Sequence, residues 1–139
     1  MPNIKPAIIA LTTITLLAAC STYQDVATGP AYRTQTITDV SAEPLSACFE
    51  ALANEDQSGS LNSLAINRTS NPRAGGWIVS FRPNTSAITY LYSVAFTDRS
   101  DGTLVELRTA ETIWDTPVAP IDLIESQIAE CQTLITAPA

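Results

Sequence analysis

The chain has 139 residues, 45% of them hydrophobic and 15% charged, with 14 acids against seven basic residues and a formal charge of −7. That length supports one domain with a modest core and not two, and a surface of this sign is repelled by phosphate polyanions, which argues against nucleic acid as a partner. Histidine is absent, so the commonest general base and the commonest metal ligand are both missing.

In chain order, Lys5 and the free amino group give a short positive region. Residues 7–19 then form an apolar run carrying Ile8, Ile9, Leu11, Ile14, Leu16 and Leu17. This is the length of a secretory apolar region and falls short of the ~20 residues of a bilayer-spanning helix. The run ends in Leu17-Ala18-Ala19-Cys20, and the chain turns polar at Ser21. These residues resemble the lipobox of bacterial lipoproteins, matching the pattern L-[AS]-[GA]-C at every position. The resemblance implies that residues 1–19 are a signal peptide removed by cleavage, that the Cys20 sulfur takes a diacylglyceryl group, and that its new amino group is acylated. Several acyl chains on one residue make a stable membrane hold, since each buried CH2 contributes ~0.8 kcal/mol. Ser21 matches the members of the family that are passed to the outer membrane, whereas Asp there favours retention at the inner one. The implied location is the periplasmic face of the outer membrane, with the inner membrane as the alternative. The resemblance covers only the first 20 residues and implies no fold for the rest.

Removal of Lys5 with the signal leaves six arginines as the basic residues and takes the formal charge from −7 to −8. It also leaves two thiols, Cys48 and Cys131, in an oxidising compartment, where one bridge between them is expected. A Cys-x-x-Cys redox motif is absent, which favours a structural disulfide over a catalytic one.

Residues 20–40 are polar and mixed around Gly29-Pro30 and read as a flexible tether, with a single domain over residues 41–139. Residues 33–37 alternate weakly, which leaves open whether they add an edge strand. Residues 43–54 predict the first helix, with Pro44 in its first turn and Leu45, Cys48, Phe49 and Leu52 along one stripe. Four strands follow. Residues 61–68 hold Leu64 and Ile66 in phase, and residues 77–82 put Trp77, Val79 and Phe81 on one face. Residues 87–99 alternate through Ile88, Tyr90, Tyr92, Val94 and Phe96. After Asp101-Gly102, a favoured two-residue hairpin turn, the fourth strand runs over residues 103–112. That turn predicts Ser100 opposite Thr103, Phe96 opposite Leu107 and Val94 opposite Thr109, with the apolar faces of both strands coinciding. Asp115-Thr116-Pro117 predicts the start of a last helix reaching about residue 135, with Ile121, Ile124, Ile128, Cys131 and Ile135 on one stripe. Each cysteine lies in its helix's apolar stripe, so the two helices are expected side by side. The fold class is α+β: a two-layer sandwich of helix, four-stranded antiparallel sheet and helix, with both helices on one face.

A search for chemistry returns little. Gly75-Gly76 lacks the Lys and Ser/Thr of a phosphate loop, and no Gly-x-Ser-x-Gly elbow occurs. Asp98, Asp101 and Glu106 lack calcium-loop spacing and read as solvation of a hairpin end. Paired carboxylates in space are invisible to sequence. No catalytic residue, metal ligand or cofactor is therefore assigned. The reading that stands first is a non-catalytic accessory lipoprotein that binds another envelope protein. A small-ligand or glycan-binding module using Trp77, Tyr90 or Trp114 is the alternative, and an unrecognised hydrolase comes third. If both helices cover one sheet face, the other carries Ile78, Arg82, Leu91 and Arg108. These side chains are less charged than a plain solvated face and suit a modest protein interface; the alternatives are a face tolerated by solvent or one covered by the Tyr32–Ile37 segment.

Overall fold

The computed structural model describes residues 29–57, 64–71, 74–83, 91–111 and 114–138. Cys20, the signal peptide, Ile88 and Tyr90 lie outside them. Seven elements follow in order: β1 (Arg33–Thr38), α1 (Ala42–Gln57), β2 (Leu64–Asn71), β3 (Gly76–Pro83), β4 (Tyr92–Arg99), β5 (Gly102–Thr109) and α2 (Ile121–Thr136). They make an α+β fold in which the strands form one antiparallel sheet in the order β1-β5-β4-β3-β2.

The sheet has five strands where four are expected. Residues 33–38, read above as the end of the tether, pair with β5 from Arg33 opposite Leu107 to Thr38 opposite Gly102. Ile37 is the one apolar side chain in Arg-Thr-Gln-Thr-Ile-Thr, so the alternation that marks a half-buried strand is nearly absent. Pairing with β5 makes this a strand. Helix α1 then carries the chain from β1 at one edge of the sheet to β2 at the other, and β2 to β5 return as a meander.

Helix α1 starts one residue earlier and ends three later than expected. Ala42, Leu45, Ser46, Phe49 and Ala53 are buried, the i, i+3, i+4, i+7 stripe of an amphipathic helix. Pro44 stands in the first turn, where amides lack intrahelical acceptors in any case. The Gln57 carbonyl Oε1 accepts the Leu64 amide at 3.1 Å, tying the helix end to the start of β2.

The β4–β5 hairpin has the expected faces and a different register. Arg99 pairs with Gly102, so Ser100 and Asp101 form the loop, and Phe96 lies opposite Val105 and Val94 opposite Leu107. The shift from the expected pairing is two residues, one period of the pleat, and so the apolar faces still coincide. Gly102 is not a turn residue because it serves the neighbouring strand. It pairs with Thr38, and a Cβ there would run into the Ile37 carbonyl oxygen.

The last helix begins at Ile121 and not near Asp115. Thr116 and Ala119 each precede a proline, which biases them away from helical backbone. Asp115 has φ +56°. The segment instead doubles back along β5: Val118 donates its amide to the Ala110 carbonyl at 2.9 Å, Glu111 bridges Pro117, and the Ala119 amide reaches Thr109 Oγ1 at 3.0 Å.

Both helices pack on the face bearing Val79, Phe81, Tyr92, Val94, Phe96, Val105 and Leu107. The Phe49 ring of α1 meets Phe81 at 6.0 Å and Phe96 at 5.6 Å, and Phe81 stacks on Tyr92 at 4.3 Å. Ile124 and Ile128 of α2 lie beside Val94, Val105 and Leu107. Cys48 and Cys131 form a disulfide between the helices, with 5.8 Å between their Cα atoms.

Candidate functional site

Alternation along the strands places Ile78 and Arg82 of β3 and Arg108 of β5 on the face opposite the helices. Ile78 lies opposite Ala95, which lies opposite Glu106, and Ser80 opposite Ser93, which lies opposite Arg108. The middle strand contributes only short side chains here. Ser93, Ala95 and Thr97 are 7–8% exposed, so β4 is buried along both faces, while Ile78, Leu104, Glu106 and Arg108 beside it are half-buried. Leu91 differs from the other three. It precedes β4, its amide donates to the Phe81 carbonyl at 2.8 Å, and its half-buried side chain packs against the core. It contributes to the fold, and Ile78 is the cleaner probe of this face.

Arg108 is held on two sides. Its Nη2 donates to Glu106 Oε2 at 3.2 Å, and its Nε donates to the Gly29 carbonyl at 2.8 Å. The chain thus reaches the domain across the end of β5. The Tyr32 amide continues that contact by donating to the Leu107 carbonyl at 2.7 Å. The lead from Cys20 is fastened well before residue 40.

Of the hairpin acids, Glu106 stands apart from Asp98 and Asp101. Asp98 Oδ1 accepts the Ala42 amide at 2.9 Å, Asp101 offers its backbone carbonyl to the Asp39 amide at 3.1 Å, and Glu106 lies mid-strand against Arg108. Asp39, Asp98 and Asp101 line an open hollow of about 270 Å³. Among the described residues, no three His, Cys, Asp or Glu are placed to share a metal ion.

The two tryptophans occupy opposite environments. Trp77 is half-buried on the helix face, with the Arg68 guanidinium 4.2 Å above its ring; Arg68 also reaches Ser46 Oγ at 3.3 Å and Glu50 at 3.6 Å. Trp114 is 81% exposed, in the loop closed by the Glu111–Pro117 bridge beyond the end of β5. Tyr32, Val118 and Leu123 are exposed at the same end of the sheet. Sequence reasoning passed over these three. The available signal was that Leu123 stands off the Ile121-Ile124-Ile128 stripe and that Val118 lies between two prolines.

No protein-family model, curated protein or solved structure matches this chain.

Proposed function

We propose that this chain is a lipid-anchored protein of the bacterial envelope, held through Cys20 and facing the periplasm from the outer membrane. It acts there as a non-catalytic accessory that binds another envelope protein. The lipobox residues Leu17-Ala18-Ala19-Cys20 and Ser21 support the anchor and its location. The observation that carries the binding role is the helix-free sheet face, where Ile78 lies opposite Ala95, with Arg108 one row along opposite Ser93 and Arg82 one row further along β3. Ile78 is already half-buried, so covering the rest of it would contribute at most about 1 kcal/mol, and the neighbouring arginines suit the polar part of an interface.

The experiment is a pulldown from detergent-solubilised envelopes with wild type, Cys20→Ala, Ile78→Asp and Arg82→Glu, each checked for folding by circular dichroism. The expected result is a stoichiometric partner kept by wild type and lost by the two face variants, with Cys20→Ala leaving the detergent phase. Folded face variants that keep every partner overturn the binding face, and a Cys20→Ala protein that still partitions into detergent overturns the anchor. The glycan-binding alternative draws on the exposure of Trp114, and a partner-free protein that retains soluble glycan would favour it.

A further inference from the structure

We infer that the end of the sheet from which the chain leads back to Cys20 rests on a zwitterionic phospholipid surface, with Trp114 seated among the headgroups. The inference depends on Cys20 carrying the lipid. Its first support is reach. Gly29 is clamped by Arg108 at the end of β5, and eight residues separate it from Cys20. An extended chain spans at most ~3.3–3.6 Å per residue, so whatever path residues 20–28 take, this end of the domain lies within roughly 30 Å of the anchor.

The second support is where the exposed apolar side chains fall. Among the described residues the large ones are Tyr32, Trp114, Val118, Leu123, Leu134 and Ile135. The first four share the end that holds Gly29. Strand β5 runs toward it, β1 begins there beside Leu107, Val118 pairs back onto Ala110, and α2 starts there with Leu123 near Phe81 and Tyr92. Leu134 and Ile135 lie at the far end of α2 and do not belong to this patch. Trp114, between the bridged Glu111 and Pro117, is 81% exposed. An indole combines an apolar body with a polar N–H, the combination that places tryptophan at membrane–water interfaces.

Charge selects the kind of lipid. Glu111, Asp115 and Asp122 flank the patch and are exposed. Anionic headgroups would be repelled there, whereas the ammonium of phosphatidylethanolamine complements these carboxylates. In this posture the strands point at the bilayer and the Ile78–Arg82 face looks sideways, open to a neighbour in the same membrane.

The test uses the full lipidated protein, purified and reconstituted into phosphatidylethanolamine/phosphatidylcholine vesicles with and without brominated acyl chains. Wild type has two tryptophans. The expected result is loss of roughly half the emission in brominated vesicles, Trp114's share, with no loss in Trp114→Phe and a smaller loss as phosphatidylglycerol is added. A protein that is acylated by intact mass, floats with the vesicles and shows no quenching overturns this inference and leaves the anchor standing. A protein without acyl mass that does not float overturns the anchor, and the inference with it. Emission from Trp114 that responds to soluble glycan fragments and not to brominated lipid assigns the patch to sugar instead.

Discussion

Asp98 ends the buried run of β4, and its Oδ1 accepts the amide hydrogen of Ala42, 56 residues earlier, at 2.9 Å. The sheet thereby caps the first helix. A carboxylate satisfies one of the amides that a helix start leaves without an acceptor, and its charge is favoured at that end of the dipole. Asp98→Ala should cost ~1 kcal/mol, the usual scale of a lost cap, and Asp98→Asn should recover most of it. Urea unfolding of the Cys20→Ala protein measures both. Equal midpoints for wild type and Asp98→Ala would refute the cap.

Gly102 pairs with Thr38 at the end of the β1–β5 ladder. In Gly102→Ala the new methyl meets the Ile37 carbonyl oxygen, and backbone must move because the obstacle is backbone. The expected loss is ~1–3 kcal/mol, as for overpacking elsewhere. Hydrogen exchange should show the β1 amides losing protection first, while the β3–β4 ladder keeps its own. Unchanged β1 protection would mean that the strand pair relaxes without parting.

The Cys48–Cys131 bridge closes a separation of 83 residues. In the chain-entropy account a loop of that size is worth ~4.5 kcal/mol, an upper figure because denatured chains are never fully free. The Cys20→Ala protein, taken from the periplasm, should show no alkylatable thiol before reduction and two after it. Cys48→Ala/Cys131→Ala should unfold at markedly lower urea. Two free thiols in the unreduced sample would remove the bridge from the account.

Tyr92 is buried beneath Phe81, and burial pushes its phenol from the ordinary 10 up to about 12. The unfolded chain therefore loses this proton near pH 10 while the folded chain keeps it. Between pH 10 and 12 the folded state binds more protons, so stability is complete below pH 10 and falls as pH rises through that window. Tyr92→Phe should flatten that part of the profile. Urea midpoints from pH 8 to 11.5 decide it, and parallel profiles for the two proteins would rule out Tyr92 as the cause.

What was legible in the sequence was whatever local periodicity encodes. The stripe of Leu45, Phe49 and Leu52, the alternation of Tyr92, Val94 and Phe96, and the inward position of both cysteines each repeat within a few residues, and a buried face imposes that repeat. The same alternation gave the shared face of the β4–β5 hairpin, because a two-residue slip leaves it unchanged.

The tertiary structure decided what depends on a neighbour distant in the chain. Arg33–Thr38 is a strand because the β5 edge offers it hydrogen-bond partners, though its own side chains carry almost no pattern. Gly102 was read as a turn residue, yet the backbone of β1 beside it requires its missing Cβ. The segment before α2 kept a helix-start composition and folded back on β5 instead, where Thr109 and Ala110 supply its partners. Asp98 became a helix cap, and Tyr32, Trp114, Val118 and Leu123 came to one end, only once the strands were in register. Periodicity is a property of a single element read against a face. Register, capping across elements and the gathering of a patch are relations between elements, and one element's sequence does not carry them.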